Sequence, residues 1–552
     1  MFIQLLPVFI LLSVCAYILT AVASWFQPGI NPTLVKSLAK IASILTILLA
    51  VGVVAILVTN GPTNFSLFIY EGLGISLRFD AISVIMYTMI ALLAYIVMRF
   101  SFKYLEGDSR HGAFLGRLAS AIASVQLLVM SGNLAILFVA WVATSISLHR
   151  LLLYYPDRPG AIVAAKKKFI VARISDLCLA IGFMLIYEQF KTGELTAIMS
   201  YMETISWATL PPGVELAVFC LALAAMFKSA QLPTHGWLIE VMETPTPVSA
   251  LLHAGLLNAG PFLVIRFAFL FNLGISGSFT LILVGALTAL FGSLVFLTQT
   301  SIKTALSYSS IAHMGFSLLV CGLGAFPAAM LHLVAHSFYK AHSFLSSGSV
   351  IDQVRASYVT VTGRSGDIRK IGPGLLVAIA SFAGMFFLFG LHTSENYALM
   401  FLCLVITLGL SRLLIPAFDT INNMLLILRV LVLSISVIAA FLFLESGVSV
   451  LMASSLPVDP GLTQIELMTL GVLALGFAAV ILLQVMAPML VHKASYQALV
   501  IHLKNGLYIN TLFDRMVGTW RIRMPEMQPE STEKIDKEYL VSDLKLEYKT
   551  QS

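Results

Sequence analysis

Charge is what this sequence has least of. Only 11% of its 552 residues are Asp, Glu, Lys or Arg, against 59% hydrophobic. That balance is wrong for a soluble surface and fits a polytopic membrane protein. The five cysteines, Cys15, Cys178, Cys220, Cys321 and Cys403, are far apart, lie in or beside apolar runs and form no Cys-x-x-Cys pair. They read as small buried residues rather than a disulfide frame. There is no Walker loop, no nucleotide fingerprint and no nucleophile elbow. A net charge of +6 is modest and does not imply nucleic acid. The first apolar run lacks a charged leader and a small-residue cleavage site, so it reads as retained rather than as a signal peptide.

What the sequence does have is apolar runs of membrane-crossing length, about fifteen of them between Phe2 and about Leu490. The expected fold is an all-α polytopic membrane protein. It divides into N-terminal transmembrane helices (1–110), a core (111–355), C-terminal transmembrane helices (356–490), and an amphipathic segment followed by a polar tail (491–552). Lys36, Lys40, Lys103, Arg110, Arg158, Lys166, Lys167, Lys168, Lys303, Arg355, Arg364, Arg369, Lys370 and Arg412 fall in or beside alternate connections, whereas the opposite set holds little beyond Arg78 and Lys191. Cationic loops stay cytoplasmic, which predicts the N-terminus outside and the C-terminus in the cytoplasm.

Ionisable residues inside apolar runs carry the functional signal. In "AMFKSAQLPTHGWLIEVMETPTPVSALLHAG", Lys228 lies about fourteen residues into its run, where a charge is expensive and often marks an ion or proton route. Snorkelling to the headgroups is the alternative. It is disfavoured by the apolar "GWLIEVM" that follows Pro233 and completes the crossing. A helix broken at Pro233 needs partners for its freed backbone groups, as in broken transporter helices. His253 follows in "SALLHAGLLNAGPFLVIRF", with Pro261 expected to interrupt that helix; the imidazole suits either proton relay or helix packing. His332, His336 and Lys340 recur every four residues in "LHLVAHSFYKAHSFL" and share one helical face. They read as a relay, with a metal pair or plain packing as alternatives. His313 is a further member of this polar file. Arg173 and Asp176, three apart, can pair on a helix. That pair is either a structural lock or a source of countercharge for Lys228.

These groups, in this order, resemble the proton-pumping antiporter-like subunits of respiratory NADH dehydrogenase (the NuoL group) and the Mrp cation antiporters. "KSAQLPTHGWLIEVMETPTPVSALLHAG", "TSIKTALSYSSIAHMGF" and "LVAHSFYKAHSFLSSGSVI" carry the resemblance over about residues 70 to 355. It implies broken helices in inverted repeats, with Lys228 as the central pathway lysine, His253 as the adjoining relay, and His332 and His336 as the central histidines. Two departures stand out. The pumps carry glutamate after the fifth-span tryptophan, where this chain has Val142 after Trp141. They also carry a second lysine on a later broken helix, where "GLLVAIASFAGMFFLFGLHTSENY" has none. With these departures the chain looks like the DabB branch, the membrane subunit of bacterial inorganic-carbon accumulation complexes. That resemblance implies a bacterial inner-membrane location, no cofactor in this chain, and a large peripheral DabA-like partner with a zinc site resembling that of a β-carbonic anhydrase. Ion flow, H+ in preference to Na+, would drive uptake of carbon dioxide or bicarbonate there. The competing readings are a respiratory or Mrp-type pump subunit, and a membrane metalloenzyme built on His332 and His336.

Overall fold

The computed structural model describes residues 2–204, 210–348, 368–390, 396–419, 424–457 and 461–519. Helices α1 (Phe2–Phe26) and α2 (Thr33–Asn60) lead into a hairpin of β1 (Thr63–Tyr70) and β2 (Leu73–Phe79), which a reading of apolar runs alone does not foresee. Its two-residue turn, Glu71 and Gly72, has positive φ at both positions (49° and 76°), the geometry that matches the twist of paired strands. There follow α3 (Ala81–Tyr104), α4 (His111–Met130), α5 (Leu134–Leu152), α6 (Pro159–Phe190) and the short α7 (Leu195–Met202). Next come two interrupted helices, α8 (Pro212–Lys228) with α9 (Gly236–Glu240), and α10 (Thr246–Ala254) with α11 (Ala259–Arg266). After the single turn α12 (Ala268–Phe271) stand α13 (Ile275–Phe296), α14 (Ile302–Gly322) and α15 (Phe326–Leu345). The final group is α16 (Ile368–Leu388), α17 (Tyr397–Asp419), α18 (Met424–Met452) and α19 (Gln464–Leu490), then α20 (Ala494–Lys504) and α21 (Ile509–Val517).

Ten described helices are long and apolar enough to cross a membrane, and three shorter apolar ones accompany them. Reaching the expected fifteen takes α15, whose histidines and lysine lower its hydropathy, and the broken pair α8 and α9. The connections gather at two ends. The hairpin end joins β2 to the 131–133 turn and that turn to Glu194. The opposite, lysine-rich end joins Gly29 to Gly112 and Arg110 to Tyr154. Arg355 and Arg364 lie outside the described residues.

Close helix packing depends on small residues, because lipid supplies no hydrophobic drive for helices to associate. A Cβ on Gly285 would sit 2.7 Å from the carbonyl oxygen of Gly315, which is how α13 and α14 lie backbone to backbone. At the hairpin end Asp80 caps α3, accepting from the Ser83 amide at 2.9 Å, while Arg78 (2.7 Å) and Arg266 (2.6 Å) reach its other oxygen. Burial alone would raise the Asp80 carboxyl, but the two guanidiniums outweigh it and hold the group well below the usual carboxylate range. This cluster ties β2 and α3 to the end of α11.

Two expectations are corrected. Lys166, Lys167 and Lys168 do not sit in a connection: α6 begins at Pro159, so they lie in its third turn, with Lys167 and Lys168 buried. Proline at the first helical position costs nothing, since that amide has no helical acceptor, and "GAIVAA" supplies good helix formers before the lysines. Pro261 does not interrupt its helix either. The break falls at Gly255 to Asn258, and Pro261 sits in the first turn of α11, where its missing N–H is again not needed.

Candidate ion pathway

Lys228 is the last residue of α8, 4% exposed, where the helix gives way to a turn that runs through Pro233 to His235. Several of the turn's backbone and amide donors find protein partners, while Gln231 Oε1 and both His235 ring nitrogens are buried with no partner among the described residues. The Leu232 amide donates to Thr288 Oγ1 at 3.2 Å, the Thr234 amide to the Gln231 carbonyl at 2.9 Å, and Gln231 Nε2 to the Ser229 carbonyl at 3.0 Å. Irregular backbone at membrane depth survives on such satisfaction.

The Lys228 ammonium has three protons, and three oxygens receive them: the Trp141 carbonyl at 2.9 Å, Thr144 Oγ1 at 2.8 Å and Ser145 Oγ at 2.7 Å. The amine also lies 4.4 Å from the centroid of a Trp141 ring. All of these partners are neutral. Hydrogen bonds to a charged group contribute about 1.5–3 kcal/mol each, against a desolvation cost of several kcal/mol for a buried ion. The two sums are of one size, so the amine is neither locked to a carboxylate nor unsupported. The hydroxyls one turn after Trp141 thus occupy the role that an acid at 142 would take.

Asp176 bonds elsewhere. Its Oδ2 is 2.6 Å from Arg173 Nη2, and it acts on Lys228 only through space, within the same field as Lys168. Sequence reasoning missed Lys168. It is 2% exposed, its Nζ is 4.6 Å from the centroid of a Trp237 ring, and it shares with Lys228, Thr144 and Ser145 a cavity of about 10 Å³, room for a single water molecule. Leu252, Leu256 and Leu257 line the same cavity from the α10–α11 side. Two amines on one small cavity form a coupled pair, in which a proton on one disfavours a proton on the other.

The two helix breaks are bonded to each other, with Ser229 Oγ donating to the Leu257 carbonyl at 3.0 Å. Beyond the second break, Asn258 Nδ2 donates to Ser337 Oγ on α15 at 2.7 Å. His253, at the end of α10, stacks on Phe344 with centroids 4.3 Å apart, and neither ring nitrogen has a partner among the described residues. On α15 the His332 and His336 rings are 5.8 Å apart, and His313 of α14 stands 5.3 Å from the first and 4.9 Å from the second. Lys340 is fully buried and donates to the Leu306 carbonyl at 3.2 Å, within electrostatic reach of His253 and His336. The structure therefore brings together Lys168 with Lys228, and His253 with Lys340 and the three-histidine cluster. No group of three or more side chains that could hold a metal ion is found among the described residues.

At the lysine-rich end the segment 494–519 docks on the core. Lys167 Nζ is 2.5 Å from Asp514 Oδ1, 2.9 Å from Asn510 Oδ1 and 3.5 Å from Glu240 Oε1, and Asn510 Nδ2 donates to Glu240 at 3.2 Å. One face of α21 thereby fastens α6 to α9, while Leu512 and Met516 stay exposed. Asp514→Asn is expected to cost about 3 kcal/mol, as for breaking other buried ion pairs. It would be read as a lowered midpoint of thermal unfolding in detergent, and an unchanged midpoint would show that the pair holds nothing. His235, buried in the α8–α9 turn 5.1 Å from the Phe291 ring centroid, was likewise not singled out from sequence.

Residues 131–418 match the family described as "NADH:quinone oxidoreductase/Mrp antiporter, TM", and residues 72–115 match "NADH-Ubiquinone oxidoreductase (complex I), chain 5 N-terminus". Over 445 residues, 80% of each chain, the sequence is 34% identical to the "Probable inorganic carbon transporter subunit DabB2" of Halothiobacillus neapolitanus. It is 41% identical over 271 residues to the DabB counterpart of Hydrogenovibrio crunogenus, an alignment spanning 49% of this chain and 52% of that one. Among solved structures, a chain of the membrane-bound sulfane sulfur reductase, an archaeal respiratory membrane complex, shares the fold with a TM-score of 0.58 at 18% identity, covering 94% of this chain and 99% of that one.

Proposed function

This chain belongs to the family of NADH:quinone oxidoreductase and Mrp antiporter membrane subunits, on its branch of DabB inorganic-carbon transporter subunits, and from that premise we propose that it is the proton-translocating subunit of an inorganic-carbon uptake complex. It has no catalytic site of its own. Protons moving through it drive uptake of carbon dioxide or bicarbonate by a peripheral zinc-containing partner of DabA type. In this reading the lysine-rich end, with its docked C-terminal segment, faces the bacterial cytoplasm and the hairpin end faces outward.

One observation carries the proposal. Lys228 gives its three protons to neutral oxygens and faces Lys168 across a one-water cavity, beside two helix breaks that are bonded together. Such an amine can release and regain a proton without breaking an ion pair. Lysines and imidazoles suit protons; a sodium site would want a cage of carboxylate and carbonyl oxygens. The same observation weighs against a redox-driven pump stroke, which needs acids and lysines that separate and re-pair, because position 142 is valine and α16 has no lysine after Lys370. The test is uptake of labelled inorganic carbon in cells expressing this chain with its zinc partner, and in cells expressing it alone. Uptake is expected only with both, and equal uptake by the chain alone would overturn the proposal.

A further inference from the structure

Glu445 interrupts the apolar sequence of α18. Its neighbours Phe443 and Leu444 are exposed, 75% and 51%, while Glu445 is half-buried. It lines a cavity of about 300 Å³ at the hairpin end, together with Asn272, Asn396, Ser449 and Pro327. No hydrogen bond or ion pair joins it to any described residue. An acid without a partner among the described residues of a membrane helix is costly, and a cavity of this size with two asparagines, a serine and the carboxylate in its lining has room for several waters.

The cavity borders the first turn of α15, the helix that carries His332 and His336. Helix α18 packs against α15, and Pro327 of the lining stands five residues before His332 on α15, a rise of about 7.5 Å. His332 Nε2 is buried and has no partner among the described residues. A second cavity of about 260 Å³ shares Asn272, Gly324 and Phe326 with the first, so the two adjoin around the start of α15. Among the described residues helix α16 supplies no lysine here, and the acidic side chains at this end of the last four long helices are Glu445 and Glu466, the second of which caps α19 and lines the second cavity.

We propose that Glu445 and its cavity form the hairpin-end mouth of the proton path. The carboxylate takes a proton from water at the surface and passes it through cavity water to His332 Nε2, returning to carboxylate as imidazolium forms, and the reverse sequence releases a proton. This rests on the proton-path reading of the lysine and histidine file.

The test is proton flux, followed with a trapped pH-sensitive dye, in vesicles holding the full chain with its partner subunit. Glu445→Gln is expected to cut flux by roughly a hundredfold, the scale of losing a proton-transferring side chain, with Glu445→Asp largely restoring it. Lys228→Ala serves as the reference. Flux near wild type in Glu445→Gln, with flux lost in Lys228→Ala, would place the mouth elsewhere and leave the path standing. Wild-type flux in both variants would overturn path and mouth together. Independently of any Glu445 variant, Ser449→Cys in a Cys15→Ser background should react with a membrane-impermeant thiol reagent added from the hairpin side alone. No reaction, or reaction from the lysine-rich side, would contradict the proposal.

Discussion

Lys228→Ala is expected to leave the chain inserted and assembled with its partner while lowering ion-coupled uptake by roughly a hundredfold or more, the loss typical of removing a proton-transferring group. The fold should tolerate the change because nothing charged is orphaned: Thr144 Oγ1 already donates to the Trp141 carbonyl at 2.7 Å, and the group that Ser145 Oγ loses is a donor to a neutral hydroxyl. Lys228→Arg should fail equally. Arginine scarcely deprotonates, and its planar fork does not fit three acceptors arranged for a compact ammonium. Assembly would be followed by co-purification of the partner and activity by uptake in cells. Full activity of the alanine variant would remove the lysine from the path and leave its three buried hydrogen bonds, a packing role, as a sufficient account of it.

The second large effect concerns Asp176. It is the carboxylate whose field reaches Lys228 and Lys168, and it is held in place by Arg173. Asp176→Asn should therefore impair transport strongly, by roughly tenfold or more, since the two amines would lose the charge that supports their shared proton. Val142→Glu in that background offers a rescue. On α5, position 142 is about 100° around the axis from Trp141 and one turn from Ser145, so a glutamate there can reach the Lys228 ammonium. Recovery of uptake in the double variant is the expected result. Unchanged transport in Asp176→Asn alone would sink the assignment.

Much of this site was legible because membranes make polar residues conspicuous. A lysine and a proline inside "MFKSAQLPTHGWLIE" announce a broken helix, and histidines four apart announce one face. Lys168 was not legible, because three consecutive lysines look like a cytoplasmic loop; only the helix-forming run before them shows that they enter the membrane. Thr144 and Ser145 look like ordinary helix residues until the lysine of another helix reaches them. The partner of Lys167 is further out of reach: Asn510 lies 343 residues away, and an amphipathic tail reads from sequence as facing lipid or a partner. Its exposed Leu512 and Met516 fit that reading, while Asn510 and Asp514 on the other face do not. Pro261 misled for a simpler reason, since a proline breaks a helix it falls within and merely starts one whose first turn it occupies.

The central claim is that ion flow through this chain drives a reaction in its partner, and the most direct measurement is inorganic-carbon uptake by cells carrying both subunits while the gradients are manipulated. Uptake should collapse with a protonophore, persist when a sodium ionophore acts alone, and persist when quinone reduction is blocked but the proton gradient is maintained by other means. Uptake that survives complete loss of both the proton and the sodium gradients would contradict the account.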